Sequence, residues 1–350
     1  MRRFLACLIP AMLASVLAVG CTSTPSRAVI EYKPASFGES RDQSALMKSD
    51  DRARADIDVA EFHLRQASDK FAQARGLLEA EELPPGAVRP TEEEVRQLYQ
   101  AAFARYRDMQ ELIARETHLY QQFMKRYPHN WFAHHRLAWF LADNYLHYEA
   151  ADQWEEVIRM QPDFPYAYNN LGSLYNHMGR DAEAIQLFRK AIDLKGDDPV
   201  FYVNLAVNYS THRKEAMELY GWDLPRTFRE CIAAYRRARD LMPEDLDVAR
   251  DLATQYVLAK YFKVTDTADD ALDAWNYYLA LDLSPAQRGY AMREVARIWL
   301  REKKDRPTAI KWLTDAKTLV GNDPGIENLL KEARGERKGP DEEEAAEKAQ

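Results

Sequence analysis

The sequence predicts an all-α protein, a helical hairpin followed by an α-solenoid of helix-turn-helix pairs. Three observations carry this. Gly is scarce, 13 in 350 residues, while Ala, Leu, Glu and Arg abound, which favours helices over sandwiches and barrels with many tight turns. Apolar residues recur at alternating steps of three and four over 51–82, and a second inward-facing set follows over 91–127. From about 131 to 321 the chain repeats with a period of 34 residues. With 46% hydrophobic and 30% charged residues it buries a core and is not disordered throughout. Its net charge of −8, from 56 acidic and 48 basic residues, disfavours a nucleic-acid backbone as main partner. Three Cys are too few for a disulfide scaffold.

The amino terminus reads as an export signal. Met1-Arg2-Arg3 supplies positive charge, and Phe4 to Val19 follows without a charged residue, interrupted by Pro10. That run is short for a bilayer span and has the form of a signal peptide. Leu17-Ala18-Val19-Gly20-Cys21 resembles a bacterial lipoprotein signal, with a small Gly before the Cys and polar Thr22-Ser23-Thr24-Pro25-Ser26 after it. The resemblance implies removal of residues 1–20, diacylglycerol on the Cys21 sulfur and acylation of the new amine. An ordinary signal peptide that leaves Cys21 free is the plainer alternative. Several acyl chains on one residue anchor stably, because each buried CH₂ contributes ~0.8 kcal/mol. Cys7 departs with the signal, so Cys231 remains as the one thiol and no intramolecular disulfide forms. The expected location is the bacterial cell envelope. In a host with two membranes it is the periplasmic face of the outer membrane, since Thr22 stands where an Asp often marks retention at the inner one. Residues 21–50, rich in Ser, Pro and charge, read as a flexible tether with a reach of roughly 100 Å.

Residues 51–127 read as an antiparallel helical hairpin. Ile57, Ala60, Leu64, Ala67, Phe71, Ala74 and Leu78 form the seam of the first helix. Pro84-Pro85-Gly86 to Pro90 breaks the chain, and Thr91 with Glu94 has the form of a capping box. Val95, Leu98, Ala102, Tyr106, Met109, Ile113, Tyr120 and Phe123 face inward on the second helix. The hairpin either packs on the helices that follow or provides a dimer seam.

Residues 128–334 read as the repeat array. Tyr168, Leu171, Gly172, Tyr175, Ala184, Phe188 and Ala191 are spaced as in a tetratricopeptide repeat, and the segment resembles that family. A shift of 34 aligns Leu137, Leu171 and Leu205; Ala138, Gly172 and Ala206; and Ala150 with Ala184. Cys231, Tyr235, Ala238, Leu252 and Tyr256 continue the register after 13 extra residues within Ser210–Arg229. A fourth unit runs from Leu246 to about Leu283, with six extra residues around Lys263–Asp269, and a fifth is degenerate. His134 and Ala249 depart from the aromatic that often opens a repeat, and Gly196 from the Pro that often closes one. Asp323-Pro324 starts a helix to about Arg334 that caps the exposed apolar end. Residues 335–350 read as a disordered acidic tail. The resemblance implies a right-handed superhelix with a concave groove lined by the first helix of each pair.

Catalytic motifs are missing: there is no Gly-rich phosphate loop, His-Glu-x-x-His or Gly-x-Ser-x-Gly. The best metal candidate, His129 with His134 and His135, places the last two on different helix faces, so no metal or cofactor is expected. Asp197-Asp198 and Asp269-Asp270 read as helix-start acids. The groove-facing candidates are Phe132, His135 and Trp139; Tyr166, Asn169, Asn170, Ser173 and His177; Val203, Asn204 and Val207; Arg250 and Thr254; and Arg293, Arg297 and Arg301. The groove thus runs from aromatic and amide to basic. Asn170 and Asn204 resemble the Asn that holds a bound peptide backbone in such repeats, or else tie their own backbones. Trp139 is the best anchor if exposed. His135 and Asn169 stand where a carboxylate clamp needs Lys, so chaperone-type docking is not expected. Tyr220 and Trp222 in the insert form a second candidate surface, or fold onto the array. The resulting expectation is a non-catalytic, membrane-anchored scaffold that binds a protein or peptide in its groove. The alternative is a fixed structural subunit of an envelope assembly or secretion complex, such as barrel assembly, pilus or secretin biogenesis, or a cell-wall hydrolase complex.

Overall fold

The computed structural model describes residues 36–336. The expected export signal, Cys21, the expected tether up to 35 and the expected tail from 337 lie outside them. Among the described residues there are fourteen α-helices, one 3₁₀ segment and no strand. They fall into two compact units, one ending at Met178 and one beginning at Gly179.

The first unit opens with α1 (Phe37–Glu79), 43 residues long, and α2 (Glu92–Arg126), which run antiparallel. Phe71 and Val95 are buried near the turn, with Leu78, Leu98 and Tyr99 packed around them. Thr91 and Glu94 make the capping box, each side chain satisfying the other's backbone N–H. Arg89 donates to the carbonyl of Leu78 at 2.7 Å, which satisfies a carbonyl at the end of α1. Helices α3 (Trp131–Asp143), α4 (His147–Met160) and α5 (Pro165–His177) follow. Ala138 and Ala150, fully buried, let the α3–α4 pair approach closely.

The tether expectation fails over residues 37–50, which are the first turns of α1. The reason is physical. This stretch has little hydrophobic pattern because its inner face is held by polar contacts. Asn130 donates to Glu39 at 2.7 Å, Tyr127 donates to Asp42 at 2.7 Å, and Ser49 donates to Glu116 at 2.8 Å. Asp50 is fully buried and receives both Arg54 and Arg136. Charge-assisted bonds of this kind hold the start of α1 against α2 and α3. The inner seam is therefore used within the chain.

The second unit contains α6 (Asp181–Leu194), α7 (Pro199–Thr211), α8 (Arg213–Tyr220), α9 (Leu224–Leu241), α10 (Leu246–Gln255), a 3₁₀ segment (Tyr256–Phe262), α11 (Ala268–Leu279), α12 (Pro285–Arg301), α13 (Arg306–Val320) and α14 (Pro324–Ala333). The small register positions Ala184, Ala206, Cys231, Ala253, Ala271, Ala296 and Ala309 are all buried. Cys231 donates to the carbonyl of Ala206 at 3.3 Å, and burial pushes its thiol pKa up, so it sits in the core as a neutral thiol. Asp198, Asp223, Asp245, Asp305 and Asp323 accept from backbone N–H groups at helix starts. Asp269 and Asp270 instead reach Lys303 and Arg236.

The insert forms α8 and the start of α9. Trp222, 8% exposed, is folded inward between Tyr220 at 4.5 Å and Tyr209 at 5.3 Å, so it offers no open surface. Arg226 lies over Trp222, and Arg189 over Tyr220. The Leu246 helix tightens into 3₁₀ geometry at Tyr256. Tyr256, Ala259 and Phe262 are all buried, and a spacing of three suits three residues per turn. At the carboxyl end, Ile326, Leu329, Leu330 and Ala333 of α14 cover Leu300, Leu313 and Ala316.

Candidate functional site

The first unit gathers an aromatic patch. Asn130 caps α3 by accepting from Ala133 N at 2.9 Å while its amide donates to α1, and this fixes how Trp131 and Phe132 emerge. Pro165 opens α5, and its rigid φ sets Phe164 just ahead of it. Trp131 lies 4.8 Å from Phe164, Phe132 lies 6.1 Å from Trp131, and Tyr166 lies 5.5 Å from Phe164. All four are partly exposed. Beneath them His135, 3% exposed, stands 5.5 Å from Phe164 and 6.3 Å from Phe132. Burial, helped by the Arg136 charge, pushes its pKa down to about 3, so the imidazole is neutral. Its Nδ1 accepts from Trp154 Nε1 at 3.4 Å. The patch is thus an uncharged, pre-packed apolar surface with one phenol at its edge, suited to gripping an apolar or aromatic side chain.

Three expected residues, Phe132, His135 and Tyr166, come together here. Trp131 and Phe164, which complete the patch, were not foreseen. Their one sequence signal is position, an aromatic at the entry of each helix 33 residues apart. Trp139 does not join them. It is 7% exposed and packs edge-on against Trp154 at 5.9 Å, so it belongs to the interior. His177 lies about 16 Å further along α5 from Tyr166. It stacks on His147 at 5.0 Å, and burial lowers the pKa of both. His134 points elsewhere than His135, toward Gln153 at 2.9 Å. Asn169 and Asn170 are at most 1% exposed, and Asn169 donates to Asn170 at 3.2 Å.

In the second unit Asn204 is fully buried as well, its carbonyl accepting from Asn208 at 2.9 Å. The expected basic end is neutralised. Arg250 pairs with Asp247 at 2.7 Å and Asp251 at 2.9 Å. Glu294 lies between Arg293 at 3.2 Å and Arg297 at 2.7 Å. Arg301 makes a two-pronged contact with Glu332 of α14 at 2.8 and 3.0 Å. The capping helix supplies the carboxylate that the sequence placed 31 residues away.

A tetratricopeptide repeat model matches residues 165–198. No curated protein matches the chain in sequence. Among solved structures, the C-terminal part of a TPR repeat-containing protein from Cytophaga hutchinsonii superposes with a TM-score of 0.51 at 12% identity, over 78% of this chain and 99% of that one. YrrB, described as a TPR protein with an unusual peptide-binding site, gives 0.47 at 15% identity over 61% and 97%. PilF of Pseudomonas aeruginosa gives 0.42 at 16% over 70% and 99%. The chain thus contains a tetratricopeptide repeat at residues 165–198, has buried small residues in register on either side of it, and shares the all-helical fold of the Cytophaga hutchinsonii TPR structure.

Proposed function

We propose that the protein is a non-catalytic scaffold, anchored by lipid in the bacterial cell envelope, that holds a partner protein or peptide. The binding part of this reading is carried by the patch of Trp131, Phe132, Phe164 and Tyr166. Partly exposed aromatics dominate binding energy, and these are already ordered by contact with one another, so docking costs little side-chain entropy. With His135 neutral beneath it, the patch suits an apolar or aromatic side chain of the partner rather than a terminal carboxylate. This moves the expected anchor from Trp139 to Trp131. The envelope part rests on Gly20-Cys21 and the polar residues after it.

The test is crosslinking in the native envelope followed by mass spectrometry of captured proteins. Trp131→Ala is expected to weaken capture by about 2 kcal/mol, roughly thirtyfold, with helicity unchanged. Undiminished capture by Trp131→Ala and Phe132→Ala alike retires the patch. Cys21→Ser is expected to release the chain from membranes, and persistent association refutes the lipid anchor.

A further inference from the structure

Helix α1 carries a second stripe, on the side opposite Ile57, Leu64 and Phe71. Arg52, Ala55, Val59, Phe62, Gln66 and Asp69 follow at alternating steps of three and four, and all are exposed. Val59 and Phe62, at its centre, are each 57% exposed. The stripe is apolar in the middle and ends in opposite charges.

We propose that this face pairs with the same face of a second copy, the two α1 helices running antiparallel about a two-fold axis between Ala60 and Glu61. The charge pattern argues for this occupant and this direction. Antiparallel pairing about that axis sets Val59 beside Phe62 of the second copy and Arg52 opposite its Asp69. On the two flanks Asp58 meets Arg65, and Asp56 meets His63. Each charged position named thus faces an opposite charge or an imidazole. A parallel pairing sets Arg52 on Arg52, Asp69 on Asp69, Asp51 against Asp56 and Arg65 against Lys70. The ion pair of Arg65 with Glu61 at 3.0 Å is solvent-exposed and weak enough to be shared. The 52–69 stretch spans about 27 Å, a small contact that makes the association reversible and dependent on local concentration. The pairing is independent of the partner-binding and anchoring readings.

The test places a photo-crosslinking side chain at position 52 of the full chain in cells. The expected product is a dimer whose captured peptide comes from residues 66–73 of the second copy. Phe62→Glu and Asp58→Arg are each expected to lower its yield at least ~tenfold without lowering helicity or abundance. Asp58→Arg combined with Arg65→Asp restores it, because the flank pairs are exchanged. No dimer, capture of residues around 52 itself, capture of any other part of the chain, or a yield unmoved by both single substitutions overturns the proposal.

Discussion

Acid should loosen the first unit through His135. In the unfolded chain a histidine titrates near ~6.5. In the folded unit, burial among Trp131, Phe132 and Phe164 holds His135 down to about 3. The folded-state pKa is depressed, so below the unfolded value the unfolded chain binds more protons. Stability is therefore lost as pH falls from about 6.5 towards 3, and the loss levels off below that. At pH 5 the unfolded imidazole is almost fully charged and the folded one almost fully neutral. The difference is about 1.5 pH units of linkage, or about 2 kcal/mol. His134, His147 and His177 are lowered by burial too and act in the same direction. Glu116, raised by burial, acts oppositely, because its neutral form is favoured on folding. Comparison with His135→Gln isolates the one contribution while leaving an oxygen able to accept from Trp154. The assay is urea unfolding at pH 7.5 and 5.0, followed by tryptophan fluorescence. The wild type should lose about 2 kcal/mol more between these pH values than the variant. Equal losses would show that His135 is not held neutral by its surroundings.

Two further outcomes follow from packing. Asp50→Ala leaves Arg54 and Arg136 facing a buried site without their carboxylate, and should destabilise the first unit by about 3 kcal/mol in urea unfolding. A loss below about 1 kcal/mol would mean that the first turns of α1 only rest on the unit. A Cβ at Gly289 would lie 2.4 Å from Cγ1 of Val320, so Gly289→Ala should cost about 1–3 kcal/mol through overpacking. Val320→Ala in the same chain should recover most of that loss, and failure to do so would place the strain elsewhere.

What was legible in the sequence is what short-range spacing encodes. The Thr91–Glu94 box, the helix-start acids and the small residues recurring at 34 are local or periodic features, and a helix pair needs them wherever it sits. The helicity of residues 37–50 escaped because Glu39 and Asp42 find their partners 91 and 85 residues away, and no apolar pattern announces a polar interface. The same distance in sequence hid the neutralisation of Arg301 by Glu332 and the meeting of Trp131 with Phe164. The Asn residues show the reverse case: a helical face places Asn170 and Asn204 near a groove in projection, and in the structure both are buried. Sequence by itself determined that helix pairs form and stack, since burying a periodic apolar face requires it. Only the tertiary structure decided which side chains stay at the surface, because exposure depends on the elements that pack over a helix and not on the helix's own spacing.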